Sequence, residues 1–142
     1  MNTSQKGIDF IKGNEGYTPN PKDDNGHLMW GHGHDRVGFE PVPEFISFED
    51  SDMLLMYDLH ERFDPQISQL APWATQNQHD ALADFAYNEG LSALRTMLHH
   101  GQDQVVKQIP SWCYEHVDGK AVKSEALEAR RMKEVALYTT TT

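Results

Sequence analysis

Residues 17–26 constrain this chain more than any other stretch. They read Tyr-Thr-Pro-Asn-Pro-Lys-Asp-Asp-Asn-Gly. Pro19 and Pro21 forbid a helix here, and Asn25-Gly26 is the strongest short signal for a two-residue hairpin. Leu28-Met29-Trp30 then reads as a strand, followed by Gly31-His32-Gly33-His34. A small antiparallel, glycine-bearing ribbon therefore interrupts whatever lies on either side of it.

What lies on either side is helical. Residues 4–16 carry Ile8, Phe10 and Ile11 at rough helical spacing, with Ser4 as cap and Gly16 as stop. After Pro41 and Pro43, Ser47-Phe48-Glu49-Asp50 resembles a capping box opening a helix to about residue 63. Residues 76–87 form a strong helix with Ala81, Leu82, Phe85 and Ala86 on one face. Shorter helices are expected at 91–99 and 104–109, and a longer one at 124–137. The tail 139–142 is low-complexity and expected to fray. The fold class is thus α+β, mostly α. One domain is expected over 1–142, with a β-ribbon and cleft lip at about 17–40 and a helical lobe at about 47–138. A cleft between the two is the natural place for a ligand.

Composition narrows the classes of function. The single cysteine, Cys113, cannot form an internal disulfide, so packing alone must hold the fold. Three Trp, five Tyr and six Phe supply a core. A net charge of −10 argues against nucleic acid as a partner. It also implies little gain in binding to an anionic target at low salt. The first sixteen residues lack a long apolar run, so neither a signal peptide nor membrane insertion is expected. A monomer without cofactor is expected.

The residue types suggest one chemistry. Glu15 ends a helix, and Asp23 and Asp24 sit in the turn beyond it. A helix-end Glu facing a loop Asp is the layout of glycoside hydrolysis. One carboxyl stays protonated to serve the leaving oxygen, and the other is ionised to serve water or the sugar. His27, His32, His34 and Asp35 invite a metal reading, but alternation puts His27 on the face away from His32 and His34, and zinc needs three or four convergent ligands. No metal is expected.

The pattern around these residues is more specific. Glu15-Gly16, then Asp23-x-x-Gly26-x-x-Met29-Trp30-Gly31-x-Gly33-His34, resembles the signature of the phage-type lysozymes, the endolysins of glycoside hydrolase family 24. Residues 76–90, ending Phe85-Ala86-Tyr87-Asn88-x-Gly90, resemble that family's central helix and exit turn. Trp112, Gly119 and Arg130-Arg131-x-x-Glu134 also fit. The resemblance implies a lysozyme-like fold and a muramidase acting on peptidoglycan glycan strands in host cell lysis. It implies Glu15 as proton donor, Asp23 as the residue that positions or activates water, a structural pair of His34 with Asp58, and Arg130 or Arg131 near the glutamate. It also implies action from the host cytoplasm, with release to the wall by a separate factor such as a holin.

Two departures stand out. The loop from Glu15 to Asp23 is one residue short, so Asp24 is the alternative to Asp23. The family's active-site threonine falls on Met29, which cannot donate a hydrogen bond. His27, on the same strand face, is a possible replacement. The departure also permits a wall-binding or virion structural domain with a weakened site, or a transglycosylase. Tyr17 either lines the cleft or packs. Asn88 and Glu89 either cap the central helix or bond a sugar. Trp30, Trp73 and Trp112 read as packing residues.

Overall fold

Ser4 opens the first helix, α1 (Gln5–Glu15), by accepting from the Gly7 amide at 3.2 Å. The structure is a computed structural model describing residues 1–24 and 26–141. Ile8 and Ile11 turn inward and are buried, whereas Phe10 lies half-buried at the edge of the core. Gly16, at φ 73°, ends α1 with its amide on the Lys12 carbonyl.

The ribbon follows as three antiparallel strands in chain order: β1 (Thr18–Asp24), β2 (His27–Gly31) and β3 (His34–Asp35). Asn25 of the Asn25-Gly26 turn lies outside the described residues. Residues 18–24, turn-rich in sequence and expected within the small ribbon, form its edge strand. It tolerates Pro19 and Pro21 because its pairing with β2 is irregular between Thr18 and Lys22. The loop before the next helix runs beside it: the Ile46 amide donates to the Pro19 carbonyl at 2.8 Å.

Ser47 caps α2 (Phe48–Tyr57), accepting from the Asp50 amide at 3.0 Å. The helix does not stop near residue 63. It widens into a π-helical turn, Asp58–Phe63, and continues as α3 (Asp64–Leu70). Pro65 is accommodated because it sits in the first turn of α3, where an amide hydrogen is least needed.

The central helix α4 (Gln76–Glu89) begins with a complete capping box of Thr75 and Gln78. It is buried on nearly every side, and Leu82 and Phe85 meet Ile11, Leu59, Leu94 and Met97 in the core. Then come α5 (Leu91–Leu98) and a short α6 (Val105–Gln108) between two 3-10 turns. An unanticipated exposed hairpin, β4 (Tyr114–Val117) and β5 (Lys120–Lys123), precedes α7 (Glu125–Thr139), which packs along α4. The fold is mostly helical with two small antiparallel sheets. Trp30 is buried, and Trp73 and Trp112 pack at the core margin.

The tail is docked where fraying was expected. Thr139 belongs to α7, and the buried Asn77 amide donates to the carbonyl of Thr140 at 3.0 Å. Thr142 lies outside the described residues.

Polar groups also tie the N-terminus down. The buried carboxylate of Asp64 accepts from the Thr3 amide at 2.8 Å, the Thr3 hydroxyl at 2.6 Å and His79 Nε2 at 2.8 Å. Removing a shared acceptor strands buried donors. Asp64→Ala should therefore cost about 3 kcal/mol in urea unfolding, and a loss under about 0.5 kcal/mol would show that water replaces the carboxylate.

Candidate active site

Glu15 is the last residue of α1, so its side chain emerges where the helix gives way to the ribbon. It lies over Gly33, in the turn between β2 and β3. A Cβ built on Gly33 would stand 2.7 Å from the Glu15 Cδ, and Gly33 has φ +76°. Only glycine meets both conditions. From α7, Arg130 Nη2 reaches Glu15 Oε2 at 2.7 Å. The same guanidinium grips Asp84 of α4, Nε at 3.0 Å and Nη2 at 2.9 Å.

These surroundings set the proton affinity of Glu15. Burial raises it, Arg130 opposes that by charge and hydrogen bond, and the fields of Asp84 and Asp35 raise it again. The net result lies above the ordinary carboxylate value. Arg130 is shared: Asp84 holds it with two bonds and Glu15 with one. Behind them, burial and a hydrogen bond to Asp84 push the Glu134 carboxyl well up, and the same bond helps to hold Asp84 low against its own burial. Glu134 thus keeps its proton and shares it with Asp84 as a hydrogen-bond donor. Arg131 is fully buried. It bonds Glu89 at 2.6 Å, Asn88 Oδ1 at 2.7 Å and Glu134 Oε2 at 2.8 Å. Arg130, not Arg131, is the partner of Glu15.

A cleft of about 240 Å³ opens before Glu15. Tyr87 and Asn88 of α4 form its helical wall, and Asp24, His27, Met29 and Asp35 form the ribbon wall. The register explains that wall. Lys22 pairs with Met29, Asp24 with His27, and Met29 with Asp35, so these side chains share one face. Asp23, Leu28, Trp30 and His34 take the other face.

This corrects the placement of Asp23. Its register partner is Leu28, away from the cleft, and its Oδ1 accepts from the Gly26 amide at 2.8 Å. It closes the hairpin. The glycine spacing along β2 places that strand correctly but cannot decide which of two adjacent acids on β1 faces the cleft. Side-chain alternation decides it, and Asp24 takes the cleft position.

The other candidates fall as follows. His34 is buried, with Nδ1 at 2.5 Å from Asp58 and Nε2 at 2.7 Å from Glu40. Burial alone would lower its proton affinity, but the two carboxylates more than offset this and raise it. The π-helical turn begins at Asp58, bringing that residue inward. His32 is held by the Gly16 carbonyl and Asp52, each at 2.8 Å. His32 and His34 therefore do not converge, and among the described residues no group of three His, Cys, Asp or Glu could hold a metal. Tyr17 packs edge-on to Phe48 and donates to the Ile46 carbonyl at 2.7 Å, outside the cleft lining. Asn88 lines the cleft while its Oδ1 is taken by Arg131. Glu89 is bound by Arg131. The sequence reading missed Tyr87, which donates to the His32 carbonyl at 2.7 Å, gave Asp84 no role in the site, and weighed Asp35 only as a metal ligand. Tyr87 could have been found at one helical step before Asn88. Asp84 lay hidden in the helix face opposite the apolar stripe.

The family model described as phage lysozyme matches residues 12–134. The endolysin of Bacillus phage PZA is 33% identical over 150 residues, covering 97% of this chain and 55% of that protein. The endolysin of Bacillus phage B103 is 39% identical over 101 residues, covering 68% of this chain and 37% of that protein. The chain therefore spans about half or less of the length of these curated relatives. Among solved structures, the muramidase domain of SpmX from Asticaccaulis excentricus superposes with a TM-score of 0.85 at 28% identity, covering 98% of each chain.

Two outcomes are expected from the geometry around Glu15. Gly33→Ala forces a side chain into the Glu15 carboxyl and a left-handed backbone. It should cost about 1–2 kcal/mol of stability, read from thermal unfolding, and an unchanged melting curve would refute the close approach. The second concerns pH. The folded state holds the Glu15 proton more tightly than the unfolded chain does. Stability therefore falls as pH rises from the ordinary carboxylate value through the raised folded value. Glu15→Gln cannot ionise and lacks that slope. Its urea midpoint should match the parent near about pH 4 and exceed it near about pH 8. Parallel pH profiles would contradict a raised proton affinity.

Proposed function

The chain belongs to the phage lysozyme family, and from that premise we propose that it is a muramidase of glycoside hydrolase family 24. Its substrate is the glycan of bacterial peptidoglycan, and it cleaves the β-1,4 bond from N-acetylmuramic acid to N-acetylglucosamine. One observation carries this reading: a helix-end glutamate whose burial raises its proton affinity, set in a cleft whose facing wall carries carboxylates.

The chemistry follows from that arrangement. Glu15 gives its proton to the leaving oxygen. Arg130 fixes the carboxyl and then stabilises the carboxylate left behind. A carboxylate on the ribbon wall, Asp24 or Asp35, takes a proton from water entering on the opposite side of the sugar ring, which inverts the anomeric centre. Host cell lysis is the role in which such cleavage serves a phage.

A second reading rests on Met29. A thioether on the ribbon wall leaves one fewer group to hold water, as in a domain that binds wall without cutting it.

The test is incubation with purified Gram-negative peptidoglycan and mass spectrometry of the released fragments. Reducing muropeptides are expected, with Glu15→Gln slowing their release at least about 100-fold. Anhydro-muropeptides would make it a transglycosylase. Protein that pellets with the wall and releases nothing would make it a binding domain.

A further inference from the structure

This inference rests on reading the cleft as a glycan-cleaving site, and it concerns which group activates the water. Met29 stands at the centre of the ribbon wall and can offer a water almost nothing. The wall around it is nevertheless polar. Met29 pairs in register with Asp35 across β2 and β3, so the two side chains stand side by side. His27, two residues earlier on the same face, brings Nε2 to 3.2 Å from Asp35 Oδ1 and stands 4.0 Å from Asp24 Oδ2.

The two cleft carboxylates are not equivalent. Asp24 ends β1 beside the hairpin turn. Asp35 belongs to β3, two residues after the glycine on which the Glu15 carboxyl rests. Its field reaches the opposite wall, raising the proton affinities of Glu15 and Tyr87. The side chain is 64% exposed, open to the solvent from which a water must come.

We infer that Asp35 is the second catalytic carboxylate, the base for the attacking water, and that His27 is the positioning residue that holds it from the neighbouring strand. The base is thereby displaced by two strands, from β1, where the sequence reading had put it, across β2 to β3. The water oxygen bonds to C1 as the bond from C1 to the leaving oxygen breaks. The leaving oxygen takes the Glu15 proton, and Asp35 takes one proton from the water. Exchange with solvent restores both groups. The charged and titratable groups facing Asp35 are His27 from β2, Asp24 and Lys22 from β1, Glu15 from α1 and Tyr87 from α4.

The experiment compares Asp35→Asn, Asp24→Asn, His27→Gln and Glu15→Gln on purified peptidoglycan across pH, with thermal melts to confirm folding. Asp35→Asn should lower kcat at least about 100-fold with little change in KM, and flatten the acid limb of the rate profile. Asp24→Asn should stay within about tenfold of the parent. His27→Gln should fall between them and shift the acid limb. Azide added to Asp35→Ala should restore cleavage, bonding to C1 as a glycosyl azide of inverted configuration.

Carbon NMR of Glu15 supplies a readout apart from activity: its titration should move to lower pH in Asp35→Asn. An acid limb lost in Asp24→Asn and kept in Asp35→Asn would overturn the inference, as would a change in KM alone or an unmoved Glu15 titration. If Glu15→Gln also leaves fragment release unchanged, or the parent releases none, the muramidase reading itself fails. If Glu15→Gln is dead while Asp35→Asn is active, only the assignment of Asp35 fails.

Discussion

The guanidinium of Arg130 is the joint on which this molecule depends. It comes from α7, near the end of the described chain, and holds Glu15 of α1 and Asp84 of α4 at once. Three helices distant in sequence thus meet through charge where hydrocarbon would otherwise serve. The arrangement is stable because its charges are satisfied in a chain: Asp84 takes bonds from Arg130, Asn14 and Glu134, and Glu134 is in turn held by Arg131. An unpaired charge in this position would cost several kcal/mol, on the order of 3–5. The same chain leaves Glu15 only part of the arginine. That share orients the carboxyl while its proton affinity stays above the ordinary carboxylate value.

The ribbon supplies the other half of the site by simple alternation. One face packs inward through Trp30 and His34, the latter clamped by Asp58 and Glu40. The face that remains must point into the cleft. Position along each strand therefore decides which residues can take part in chemistry, and a shift by one residue exchanges a turn-closing acid for a cleft-lining one. Gly33 then brings the two halves close enough for Glu15 to meet that face.

Much of this architecture was legible in the sequence. The α4 stripe, the Ser4 and Ser47 caps and the β2 strand all follow local rules. What escaped did so for physical reasons. The hairpin of β4 and β5 is exposed along all of its length, so no apolar alternation marks it, although Asp118-Gly119 at its turn has the residues and the positive φ angles, 51° and 76°, of a tight hairpin. The continuation into α3 was masked by Pro65, whose placement in a first turn becomes visible only in three dimensions. At the site, Glu15 and the neighbouring Asp23 and Asp24 were singled out by residue type, whereas Met29, and Arg130 or Arg131, were singled out by the family resemblance. Asp84 was not, because its function depends on a partner from another helix. Asp23 and Asp24 differ only by strand parity, which the irregular pairing of a proline-bearing strand obscures.

The Arg130 joint also bears on the chain as it is made. Glu15 leaves the ribosome early, whereas Arg130 emerges only after nearly every other element described above. Until then the glutamate has no guanidinium to orient it, and Asp84 is a carboxylate without its main counter-charge in a helix meant for the interior. A nascent chain therefore holds its acid in an unfinished setting until α7 has emerged. Docking of α7 both neutralises Asp84 and orients the Glu15 carboxyl, so a single folding event stabilises the core and sets this side chain together.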